Sequence, residues 1–166
     1  MAMIRDSDRP GNIDEPSSWH FDRRPLDVAA IDPARIWISF DRRSDTLLIQ
    51  FFGRERDTIS VPIARYLYVL VDPETEQVVG LHIEGFLAQA VKDVPDSIVL
   101  LDFADLRGIT AAEVRLLRAQ LSIQQPDLEQ DHRTISQFVQ QQRRDAIVSY
   151  IAAERTRFPL PFFIAA

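Results

Sequence analysis

At 166 residues, 46% of them hydrophobic, the chain is long enough to bury one sizeable core. Its formal charge of −6 repels phosphate backbones and anionic membranes, which argues against nucleic acid and bilayers as partners. The absence of cysteine removes disulfides, thiolate chemistry and cysteine zinc sites, and suits a reducing cytoplasm.

Residues 1–33 are rich in Asp, Arg, Pro and Ser, and their prolines oppose any helix, so they read as an N-terminal arm with Trp19, Phe21 and Leu26 as anchors. The arm lacks the continuous apolar run of a secretory signal, and no later run approaches the roughly 18 apolar residues of a membrane span. A body over residues 34–125 follows. Arg35 to Phe40 alternates Ile36, Ile38 and Phe40 against Trp37 and Ser39, the period of a half-buried strand. After the turn DRRSD, Thr46 to Phe52 is apolar on both faces, which predicts a central strand. Thr58 to Ile63 is demoted to an edge by Pro62, and Arg65 to Val71 is strongly apolar. Asp72-Pro73 opens a further turn, and Val78 to Glu84 closes an antiparallel meander.

Beyond Gly85 the apolar period lengthens. Phe86 to Val91 and Ile98 to Leu106 are predicted as short helices separated by Pro95. Thr110 and Glu113 form a capping box that opens a helix carrying Val114, Leu117 and Leu121. Residues 126–166 form the last segment. From Pro126 the longest helical pattern runs to about Arg157, with Ile135, Phe138, Val139, Ala146, Ile147, Tyr150 and Ile151 on a narrow stripe suited to one neighbour or to a second copy. The tail FPLPFFIAA is apolar and unfit for a helix. Phe158, Leu160, Phe162, Phe163 and Ile164 are expected to bury themselves on the chain's own body or in a partner's groove.

The expected fold is α+β: an antiparallel β-meander sheet of about five strands, helices packed on one side and a long C-terminal helix. Leu48, Phe52 and Val78 point opposite the main core and call for helices over their face. FDRRSDTLLI and VLVDPETEQVVGLHIEG resemble a family of small bacterial proteins known as domain of unknown function twenty-two eighty-three. Phe40, Asp41, Asp45, Leu47 and Ile49 match its first element, and Val71, Asp72, Val79, Gly80, Leu81 and Ile83 its second. His82 stands where the family usually has an acid, and the Asp72 to Gln77 turn is longer than the family's. The resemblance covers residues 38–85; it implies a stand-alone interaction protein and transfers no catalytic residue.

Candidate chemistry is sparse. His82 and Glu84 share a strand face about 7 Å apart by strand rise, and with Asp72 or Glu74 they would make a carboxylate–histidine metal site or an acid/base pair. Two residues on a sheet face are more commonly a hydrogen-bonded pair. Asp41 and Asp45 read as turn formers, because a calcium loop needs a denser set of oxygens. Arg23-Arg24, Arg42-Arg43 and Arg143-Arg144 read as solvated or ion-paired doublets, and His20, His132 and Ser17-Ser18 as ordinary surface positions. No cofactor is expected. The favoured reading is a non-enzymatic interaction or regulatory module that self-associates or binds a protein; a small-ligand or metal-dependent enzyme using His82 and Glu84 is the alternative.

Overall fold

The computed structural model describes residues 26–54, 56–121, 132–158 and 163–164. Strand β1 (Leu26–Asp27) leads into two 3-10 turns, Val28–Ala30 and Pro33–Arg35, started by Asp27 and Asp32. Each aspartate accepts a 3.0 Å bond from the backbone two residues on. The main sheet is built from β2 (Trp37–Asp41), β3 (Thr46–Gln50), β4 (Ile59–Pro62), β5 (Leu67–Val71), β6 (Val78–Glu84) and β7 (Asp105–Arg107). Strand β6 is followed by a π-helical turn, Phe86–Ala90, the helix α1 (Val91–Asp93) and a 3-10 stretch, Pro95–Phe103. Helix α2 (Ala111–Gln120), the long α3 (His132–Arg157) and β8 (Phe163–Ile164) complete the order, with β8 parallel to β1.

The α+β class stands, but the sheet has six strands and is mixed, in the order β4-β5-β6-β3-β2-β7. The segment predicted as a helix from Ile98 to Leu106 instead winds as a 3-10 stretch and then supplies β7, which pairs parallel to β2. The meander is also interrupted: β3 lies between β2 and β6, and β4 goes to the outside. Burial explains this order. Exposed Ile59 and Ser60 leave β4 poorly suited to an interior place, whereas β6 is buried at Val78, Val79, Gly80, Leu81 and Ile83. Gly80 makes the β3–β6 approach possible, since a Cβ there would stand 2.1 Å from the Ile49 carbonyl oxygen.

Pro62 is accommodated at the edge by the ladder's alternation. Ile63 N–H donates to Leu67 O at 3.0 Å, so the register turns the backbone of Pro62 and Ser60 away from β5. The missing N–H of proline therefore costs no ladder bond.

Helical segments cover the sheet face formed by Ile38, Phe40, Leu47, Ile49, Leu67, Val69, Leu81 and Ile83, all fully buried. Phe86 meets Phe40 edge to face at 5.9 Å, and α3 adds Ile147, Tyr150 and Ile151 to the same core. The expected capping box is formed: Thr110 Oγ1 accepts from Glu113 N at 3.2 Å, and Thr110 N donates to the Glu113 carboxylate at 2.7 Å. That second bond leads the causes holding the Glu113 carboxyl below its ordinary range. The predicted beginning of the long helix at Pro126 lies outside the described residues. Its Arg143 and Arg144 are not a solvated doublet, because they donate to the carbonyls of Ile36 at 2.8 Å and Ala29 at 3.0 Å, tying α3 to the segment entering the sheet.

Candidate functional site

Pleating sends Trp37, Ser39, Asp41, Thr46, Leu48, Gln50, Ser60, Tyr68, Leu70, Gly80, His82 and Glu84 to the opposite sheet face. The expectation that Leu48, Phe52 and Val78 share one helix-covered face is corrected: Leu48 is half-buried and outside the core cluster that the helical segments join, whereas Val78 is buried within that cluster and Phe52 packs against it. On the face of Leu48, Ser39, Gln50 and Leu70 are buried as well. Register aligns its residues in rows. One row runs Pro62, Tyr68, His82, Leu48, Ser39 and Asp105, directly opposed from edge to edge. A neighbouring row joins Glu84, Thr46, Asp41 and Arg107. Strand spacing makes the longer row about 24 Å across.

His82 is the centre of the polar part. Its Nδ1 lies 2.9 Å from Ser60 Oγ, and its ring stacks on Tyr68 with centroids 5.0 Å apart. Tyr68 OH donates to Glu84 Oε2 at 3.0 Å, while Glu84 Oε1 stands 3.8 Å from His82 Nε2. Burial pushes the His82 imidazole below its ordinary pKa, with Glu84 pulling the other way, so the ring is neutral at pH 7. The Glu84 carboxylate raises the Tyr68 phenol, which remains a donor.

The sequence correctly places His82 beside Glu84, but Ser60 and Tyr68 complete the group from β4 and β5. Alternation on one strand reveals the first pair; the others need the register. At 3.8 Å the carboxylate is beyond hydrogen-bond reach of the imidazole, and its other oxygen already accepts from Tyr68. The array is therefore a chain of cross-strand bonds that orders the outer face.

Asp72 and Glu74 do not join this group. Asp72 sits at the other end of β5, accepts from Glu74 N at 2.8 Å and Thr75 N at 3.2 Å, and pairs with Arg56 at 3.1 Å. Those turn bonds, led by the one from Glu74, hold its carboxyl below the ordinary range. Among the described residues, no three histidine, aspartate or glutamate side chains converge to hold a metal ion. Asp41 does form its turn, accepting from Arg43 N at 2.8 Å. Asp45 instead reaches forward, accepting from Leu87 N and Ala88 N at 2.9 Å each.

The tail is divided. Phe163 is 1% exposed and meets Phe51 edge to face at 6.0 Å, so it fills its own chain's core and is not free for a partner. Phe158 is half-buried against Tyr66. Ile164 pairs its backbone with Asp27, and Leu160 and Phe162 lie outside the described residues. Trp19, Phe21, His20, Ser17-Ser18 and Arg23-Arg24 also lie outside them, whereas Leu26 anchors β1 against the core.

A third polar group escaped the sequence reading. Tyr66, just before β5, donates to Glu154 Oε1 at 2.8 Å beneath α3, and Tyr150 lies one turn earlier on that helix. Glu154 is 0% exposed. Its position seven residues after Ile147 on the apolar stripe was the available signal. No family model, curated protein or solved structure matches the chain.

Proposed function

We propose that the chain is a non-enzymatic interaction module and that the outer sheet face is its recognition surface, with a second copy as its occupant. One observation carries this reading: the row Glu84, Thr46, Asp41, Arg107 has an exposed acid at one end and an exposed base at the other. A two-fold axis through such a row would set each Glu84 against the other copy's Arg107. The adjoining row adds half-buried Tyr68, His82 and Leu48, an aromatic and apolar centre within a charged rim. The polar groups around His82 are paired within the chain, which favours ordered recognition over proton transfer during a reaction.

The test is solution mass by light scattering over a concentration series. The wild type is expected to form dimers, Glu84→Arg and Arg107→Glu to weaken them, and the double reversal to restore them. Monomers at every concentration, or failure of the double reversal to restore association, would overturn the proposal.

A further inference from the structure

Glu154 lies on the inward stripe of α3 with Ile147, Tyr150 and Ile151, and all four are buried. Its Oε1 accepts from Tyr66, while Glu154 Oε2 and Tyr150 OH are both buried without another bond. Arg157, one turn further along, pairs with Asp93 of α1 at 2.8 Å and is not bonded to Glu154. Two phenols, one acid and one cation already engaged by that acid thus surround the Glu154 carboxyl.

We infer that Glu154 is a proton-binding site built into the fold: it is buried as the neutral acid, and its ionisation opposes the docking of α3 on the sheet. The neutral form leaves no charge unbalanced in the core. Burial pushes the carboxyl above its ordinary range, and Asp93 adds to that; Tyr66, Tyr150 and Arg157 pull it back without prevailing. Burial likewise raises both phenols, so they remain protonated donors.

The linkage has a definite sign. A carboxyl raised in the folded state contributes its full stability below the unfolded pKa of about 4.3, and this is lost as pH rises through the folded value. Within that window each pH unit lowers the folded-to-unfolded ratio by up to about tenfold.

The direct experiment is a carbon-13 NMR titration of the Glu154 side-chain carboxyl in the full chain. The expected midpoint lies above that of ordinary glutamates and moves down in Asp93→Asn, which leaves Arg157 free to face Glu154. Urea unfolding across pH 4.5 to 8 supplies the second readout: the wild type should lose stability relative to Glu154→Gln as pH rises. An ordinary midpoint, or parallel stability profiles, would overturn the inference. If Glu154→Gln does not fold, the titration of the wild type decides alone.

Discussion

Asp45 offers a sharp test of how the sheet is joined to the helical layer. Its carboxylate and its carbonyl accept from three successive amides: Phe86 N by the carbonyl, and Leu87 N and Ala88 N by the side chain, each at 2.9 Å. Those amides begin the helical stretch after Gly85, whose φ of 60° sets the turn but whose missing side chain caps nothing. Asp45 itself has φ 52°, in the left-handed region that aspartate and asparagine tolerate better than alanine. Two costs are therefore separable. Losing a capping carboxylate costs about 0.5–2 kcal/mol in ordinary helices, and the two bonds here place the loss near the upper end, about 2 kcal/mol. Left-handed strain on alanine adds roughly 1 kcal/mol.

Asp45→Ala is thus expected to lose about 3 kcal/mol, Asp45→Gly about 2 because glycine relieves the strain, and Asp45→Asn about 1 because it retains an acceptor and the tolerated backbone. For a chain of this size the alanine variant should melt roughly 6–12 °C lower. Urea unfolding followed by circular dichroism supplies the free energies and thermal melts the midpoints. Equal losses for alanine and glycine would remove the strain component, and an asparagine variant as unstable as alanine would remove the capping component.

Phe163→Ala should cost about 3–5 kcal/mol, the ordinary loss for a buried phenylalanine, measured by the same urea titration. A loss below about 1 kcal/mol, accompanied by a change in solution mass, would instead assign Phe163 to a partner's groove. His82 introduces the opposite pH sign to Glu154, because a depressed folded pKa gives stability present above about pH 6.5 and lost as pH falls through the folded value. Wild type should therefore lose ground to His82→Phe on acidification from pH 7 to 5; parallel melting curves would refute a neutral, half-buried imidazole.

Period-two alternation made β2, β3, β5 and β6 readable because each places an apolar set on the buried face. Pro62 marked the edge, and Thr110 with Glu113 marked the start of α2, since both signals act within a few residues. Strand β7 was hidden for the opposite reason. Only Asp105, Leu106 and Arg107 form it, and its existence depends on pairing with β2, more than sixty residues earlier. The same non-local dependence concealed β6 beside β3, the reach of Asp45 to Leu87 and the union of Ser60 and Tyr68 with His82. Glu154 was masked differently: charge at that position suggests a solvated face until helical spacing aligns it with Ile147 and Ile151.

The two sides of the sheet handle polarity by different physical means, and this bears on where recognition would reside. Beneath α3, Glu154 is enclosed, so any change in its charge acts on the packing of the whole helical layer. On the outer face, Glu84 and His82 retain partial access to water, so their interactions can be exchanged for those of a partner at smaller desolvation cost. Tyr68 ties the two together by stacking on the ring while bonding the carboxylate, limiting the side-chain freedom that association would otherwise have to remove. An ordered polar row with an apolar centre is consequently better prepared to bind than an equally polar but mobile surface, and its ordering depends on cross-strand register that the buried side of the sheet maintains.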